Sequence, residues 1–382
     1  MTDAASISQR DPAGVDAWEA LKARLPKRSP KDEVAFQAMM ARALKPLQPG
    51  DPRRHHYIPQ FFQRRFADDN EQLVVTPLDG SKPITTHVKN VAVVKDLYTM
   101  RDTDLGETVA VERLLAEVDG EAAGAIARLL AGLLFPPMEP DRSNLALWFG
   151  LLFVRDPHTR RVMEAMSDHG SKLDLLPMSD PAVAAARLRE LKGREPTDDE
   201  VADLVDLALH VNELDEVDLG QSHFVGAMLD VGLMSFAHLM SRRYLVVQFP
   251  EPGLVLSDRP VVLSQYPRNR LPGVGVGVIN ADEILIPLDR RTVLLLHKEF
   301  DLPDAFSTKP GDMTIDEVNQ AVVGNATSEL YCHPDDAERL KELRWPSPNR
   351  PLLQMSGGLG ADIVTDGVNS PPTRRNHRRY RR

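Results

Sequence analysis

One cysteine, Cys332, stands in a chain of 382 residues. A lone cysteine excludes an intramolecular disulfide and any cysteine-based zinc cluster, and it suits a reducing compartment. Long hydrophobic runs are scarce: charges interrupt the apolar stretches well before 18 residues, and no membrane span is expected. The opening segment "MTDAASISQRDPAG" has neither a basic n-region nor an apolar h-region, so no signal peptide is expected. An excess of positive charge is lacking as well. With a net charge of −10, the molecule as a whole is not a basic nucleic-acid-binding slab. Absent too are a Walker-A loop, a G-x-G-x-x-G after a strand, H-E-x-x-H and G-x-S-x-G. The expectation left standing is a soluble cytoplasmic protein.

What is present is globular composition, 42% hydrophobic and 27% charged, at a length that suits one large domain or two ordinary ones. Residues 1–50 hold two amphipathic stretches, "AWEALKARL" and "EVAFQAMMARAL", read as a helical extension. The segment 71–100 reads as short strands with a Gly-containing turn. A helical block follows. Val111, Leu114, Leu115, Val118, Ala122, Ala125, Ile126 and Leu129 keep the 3.6-residue period. Asp141 is placed to cap the next helix, and Pro157 predicts a kink near Arg155. Three more helices are read over 181–241. Beyond residue 241 the period changes to that of strands, interrupted by one helix that Thr314 and Glu317 open in capping-box spacing. Strands on both sides of a helical block, without regular βαβ alternation, predict an α+β fold. The organisation expected is a 1–50 extension, a 51–345 domain, and a 346–382 tail ending in Arg374, Arg375, Arg378, Arg379, Arg381 and Arg382. That tail is read as solvated, with contact to an anion as the alternative.

Five groups of residues could carry chemistry. In "RRHHYIPQFFQRRFADDN", His55 and His56 are adjacent, and strand alternation sends them to opposite faces, so only one enters a given site. Phe61, Phe62 and Phe66 read as core, with Pro59 at the start of the helix they anchor. Glu112 and Asp119 are seven residues apart and share one helix face at the margin of the apolar stripe. A carboxylate half-buried there has a raised pKa unless it is paired. Arg155 and Arg160 form a third group in "VRDPHTRR"; Arg155, emerging from "LWFGLLFV", needs a carboxylate or phosphate partner, and an ion pair with Glu112 or Asp119 is its structural alternative. Asp258, with Ser257 before Pro260, is either turn chemistry or a ligating carboxylate. Asn319 falls on the inward edge of its helix, where it must find partners.

The order of these blocks resembles the DUF4238 family. "RHHYIPQFFQRRFADD", "KNVAVVKDLYTM", the Glu112–Asp119 helix, "LFVRDPHTRR", "LSDRPV", "IPLDRR" and "VNQAVVGNATSELYCHP" carry the likeness over about residues 53–335. Asp119 stands where the family's pattern prefers glutamate. The resemblance implies matching positions, namely His55, His56, Tyr57, Pro59, Glu112, Asp119, Arg155, Ser257, Asp258, Pro287 and Asn319, and no activity. Polar types gathered at such positions are the inventory of a hydrolytic or anion-binding site.

The expectation that follows is a metal-dependent hydrolase of phosphodiesters, nuclease-like. His56 or His55 would be base or ligand, and Arg155 would contact phosphate. Glu112, Asp119 and Asp258 would hold Mg2+ or Mn2+, with Zn2+ also open to a histidine-carboxylate set. In a non-metal enzyme, a further alternative, the histidine would be a general base and Arg155 with Asn319 would bind a carboxylate or nucleotide. A nucleic acid or another anionic phosphate ligand is the partner implied, with no membrane, and the sequence sets no oligomeric state. Of the two histidines, His56 is the one favoured for the site. The alternative is a non-catalytic binding or interaction module in which the same residues form a buried polar network. A site needs them to converge on one open cleft; a network satisfies them internally.

Overall fold

A computed structural model describes residues 50–102, 106–132, 135–211, 220–270, 275–299, 303–346, 354–356 and 362–364. The helices expected within residues 1–49 and the terminal arginines lie outside the described residues. The chain divides into two compact units, one formed by residues 1–158 with 221–382 and the other by Thr159–Gly220.

The first unit opens with β1 (Arg54–His56) and a single helical turn, α1 (Gln60–Gln63). Pro59 stands just ahead of α1, where its fixed φ suits a helix start. Next come β2 (Gln72–Pro77), β3 (Ile84–His87), β4 (Val93–Lys95), β5 (Met100–Asp102) and β6 (Gly106–Thr108). β1 pairs with β4, and β5 with β6. The long helix α2 (Ala110–Leu130) buries the periodic apolar set read from the sequence, Val111 through Leu129. The helix α3 (Asp141–Val154) follows. Asp141 is its first residue and does not cap it. Its carboxylate is taken by both Nε and Nη2 of Arg128, at 2.7 and 2.5 Å.

Instead of kinking, the helix stops. Arg155 leaves helical geometry at φ −89°, ψ 0°, and a new helix, α4 (Pro157–Leu175), begins on the proline. Pro157 can open a helix but cannot donate into the preceding one, which accounts for the break. From Thr159 onward α4 belongs to the second unit, with α5 (Pro181–Lys192) and α6 (Asp198–Leu209). That unit rests on local devices. Asp180 caps α5, Gly193 ends it in the left-handed region at φ 64°, and Thr197 with Glu200 forms a capping box on α6.

The first unit resumes with α7 (Gly220–Ser241), then β7 (Arg243–Gln248), β8 (Leu256–Ser257), β9 (Val262–Ser264), β10 (Glu283–Pro287), β11 (Thr292–His297) and β12 (Ala305–Ser307). After these come α8 (Ile315–Asn325), β13 (Glu329–Cys332), β14 (Gln354–Ser356) and β15 (Asp362–Val364), the last two paired with each other. A five-stranded sheet runs β12-β7-β11-β10-β9, with only β12 and β7 parallel, and a four-stranded antiparallel sheet runs β3-β2-β13-β8. The fold is α+β. The expected capping box of Thr314 and Glu317 opens α8.

Two packing centres fix the elements that matter below. Phe62 and Phe66 are fully buried, and Phe62 meets Trp148 of α3 edge-on at 5.0 Å, so the motif after the histidines is pinned to the helical block. α8 packs on the sheets through Val322, Val323 and Ala326, against Val74, Val255 and Leu330. Helices α3 and α7 approach closely: a side chain at Gly150 would run into the backbone oxygen of Gly232. Over Phe224–Ser241, α7 is long and apolar enough to cross a membrane by length and composition, with 39% of that stretch buried. A single charge, Asp230, interrupts the apolar stretch there, which is fewer than the sequence reading expects.

Candidate functional site

β1 fixes both histidines. His55 pairs opposite Val94 and His56 opposite Val93, and period-two alternation turns their rings to opposite faces. His55 is buried. The backbone N–H of Tyr98 donates to its Nδ1 at 2.8 Å, and its Nε2 lies 3.1 Å from the Pro52 carbonyl. Those partners dictate a neutral ring that carries its proton on Nε2, and burial pushes its pKa down. Both nitrogens are thereby spent on the backbone. His56 goes the other way. Its Nε2 is 3.3 Å from the Lys89 carbonyl, and burial together with the charges of Arg54 and Arg64 lowers its pKa. The histidine on the side of the polar interior is therefore His55, stacked on Tyr98 with ring centroids 5.5 Å apart, and not His56.

Tyr98 carries the network onward. Its buried hydroxyl donates to the Arg155 carbonyl at 3.0 Å. Arg155 sits at the break between α3 and α4 with its side chain 1% exposed. One amino group, Nη1, reaches Asp119 on α2, at 3.1 and 3.4 Å from the two carboxylate oxygens. The indole N–H of Trp148 donates to the same carboxylate at 2.8 Å. Packing of α2 on α3 thus joins Asp119, Trp148 and Arg155. The other edge of the guanidinium, Nε with Nη2, is buried and has no hydrogen-bond partner among the described residues. Glu112, two turns before Asp119, is half-buried beside this pair. Burial pushes its carboxyl up to about 7, against the opposing pull of Arg155, while Asp119 adds to the rise.

A second cluster gathers around β13. Asp258 is buried and accepts from Thr327 N–H at 2.9 Å, from Ser328 N–H at 2.8 Å, from Ser328 Oγ at 2.7 Å and from the Thr327 hydroxyl. Burial still raises its pKa. The tight turn before Pro260 is made by Ser257, whose Oγ donates to the Arg259 carbonyl at 2.9 Å. Tyr57, next to the histidines, lies 3.2 Å from the Tyr331 hydroxyl, and Tyr331 donates to Glu329 at 2.8 Å. Burial raises the Glu329 carboxyl, and the charge of Asp258 adds to it. Asp156, buried directly after Arg155, acts on both Tyr57 and Tyr98 and so lies between the two clusters. Asn319 stands apart. It closes the chain on α8, accepting from Val255 N–H at 3.0 Å and donating to the Gly253 carbonyl at 2.8 Å.

The structure therefore brings together His55, Glu112, Asp119 and Arg155 through Tyr98 and Trp148. Asp258 is held in the neighbouring cluster, and His56 and Asn319 are placed elsewhere. Asp119 is engaged by Arg155 and Trp148, Asp258 by four donors, and among the described residues no three His, Cys, Asp or Glu side chains gather as a ligand set. Tyr98, Trp148, Asp156, Glu329 and Tyr331 were not singled out by the sequence reading. Four of them sit inside the very blocks that carry the family likeness, "DLYTM", "VRDP" and "SELYCHP".

A family profile described as "Protein of unknown function (DUF4238)" matches residues 54–336. No curated protein and no solved structure matches the chain. The match spans both clusters and most of the sequence, and the chain belongs to the DUF4238 family.

Proposed function

We propose that the chain is a binding module whose polar residues form a rigid buried scaffold joining the helical block to the sheets. The supporting observation is that His55, Asp258 and Asn319 spend their polar atoms on backbone and side-chain partners within the first unit. A histidine with both nitrogens bonded to the backbone is poorly placed to take a proton from a substrate. A carboxylate with four donors is poorly placed to hold a cation.

The phosphodiester-hydrolase reading keeps one observation in its favour. Glu112, with its carboxyl near 7 beside a guanidinium, has the acidity that proton transfer at neutral pH calls for. A nucleic acid or another phosphate ester would be its substrate. The two readings part in one experiment: the purified chain with single-stranded DNA, RNA and bis(p-nitrophenyl) phosphate, in Mg2+, in Mn2+ and in EDTA. The binding-module reading predicts no turnover in any of these, and an unfolding temperature that EDTA leaves unchanged. Turnover that needs the metal and is lost in Glu112→Gln contradicts it.

A further inference from the structure

Three arginines among the described residues present the same guanidinium edge, Nε with Nη2, to a carboxylate. Arg128 meets Asp141 at 2.7 and 2.5 Å, Arg189 meets Glu195 at 2.6 and 2.7 Å, and Arg290 meets Asp336 at 2.8 and 3.0 Å. That fork is the geometry in which arginine recognises planar and tetrahedral oxyanions. In Arg155, more deeply buried than any of these three, the same edge has no partner among the described residues. Its one hydrogen-bonded acid, Asp119, is reached through Nη1 alone and is shared with Trp148. Two buried donors without acceptors are costly to maintain, and such an edge in a folded protein calls for an explanation.

We infer that the Nε–Nη2 edge of Arg155 is a binding site for a small oxyanion, the carboxylate or phosphate group of an acidic ligand. This rests on the binding-module reading and supplies the class of ligand. The surroundings set a condition on the anion. Glu112 faces Arg155 from α2, with Asp119 on the same helix and the Tyr98 hydroxyl above the Arg155 carbonyl, and Asp156 acts on Tyr98 from the start of α4. Arg113, next to Glu112, is turned away to Asp51. One guanidinium cannot balance Asp119, an ionised Glu112 and an incoming anion in a buried setting. The anion therefore binds when Glu112 is neutral, and binding takes up a proton wherever Glu112 is ionised in the free protein.

The test is isothermal titration of the full chain with sodium sulfate and with sodium acetate at pH 6 and pH 8, where neither probe changes its charge. One of the two is expected to bind at a single site, about tenfold more weakly at pH 8 than at pH 6. Preference for sulfate assigns a phosphate group, and preference for acetate a carboxylate. Arg155→Lys keeps the charge but loses the fork, and is expected to weaken binding at least tenfold. Glu112→Gln is expected to bind equally well at both pH values. The inference is overturned if neither anion binds the wild-type chain, if Arg155→Lys binds as well as wild type, or if Glu112 titrates below the ordinary glutamate range, which would place Glu112 itself on the open edge. None of those results bears on the scaffold reading, which is judged by stability and turnover without any added anion.

Discussion

Asp119 and Glu112 lie on one helix face, seven residues apart, and meet different partners. Asp119 has a guanidinium and an indole N–H to lean on, whereas Glu112 has burial without a bonded cation. The shared face was legible from spacing. The difference was not, because it depends on which turn of α3 brings Trp148 and Arg155 against α2. The adjacent histidines were legible in the same partial way. Alternation required that only one face the interior, but choosing His55 needs the β1–β4 pairing and the position of Tyr98. Folded, Glu112 holds its proton up to about 7; unfolded, it releases it near the ordinary glutamate value. The native state therefore binds more protons between those values. The stabilisation is fully present below the unfolded pKa and is lost as pH rises through about 7, an effect on the order of 1–3 kcal/mol. Urea unfolding from pH 4.5 to pH 8 should show this fall in wild type and a flatter profile in Glu112→Gln. Identical profiles would remove Glu112 from its half-buried place beside Arg155.

The elements follow from local signals where those signals are self-contained. The Thr314–Glu317 box opens α8 as its spacing requires, and the apolar period of α2 gives its buried face directly. Pro157 announced a disturbance, and the chain resolved it by ending α3 at Val154 and starting α4 on the proline. Asp141 fits a cap on local grounds, yet Arg128, a helix away in the fold, claims its carboxylate. The close approach of α3 and α7 could not be read from either helix alone. It rests on Gly150 against Gly232, and the two glycines differ in a way that can be measured. A methyl at Gly150 meets rigid backbone, while one at Gly232 meets the movable end of Leu151 at 2.8 Å. Gly150→Ala is expected to destabilise by about 1–3 kcal/mol despite alanine's better helix propensity, and Gly232→Ala by clearly less. Chemical denaturation of both variants checks the order, and equal or reversed effects would show that the helices can slide apart freely.

At the scale of the whole molecule, the α+β class was legible from the change of period along the chain, since strands flank a helical block. Strand order was not. β13, late in the sequence, inserts between β2 and β8, and that crossover carries Glu329 and Tyr331 to Tyr57. Tyr57 and Tyr331, 274 positions apart, complete one another, and no spacing rule anticipates them. The result is a first unit in which distant polar residues brace the packing of helices on sheets, while the Nε–Nη2 edge of Arg155 is buried without a partner among the described residues. The most direct measurement of that account is the unfolding free energy of His55→Leu, Asp258→Asn and Asn319→Leu beside His56→Leu, each with and without EDTA. The account predicts losses of about 2–5 kcal/mol for the first three, because each substitution strands buried donors or acceptors, a loss under about 1 kcal/mol for His56→Leu, and no effect of EDTA on any. Wild-type stability in the His55, Asp258 and Asn319 variants would contradict it, since residues that can be removed without loss are not a scaffold.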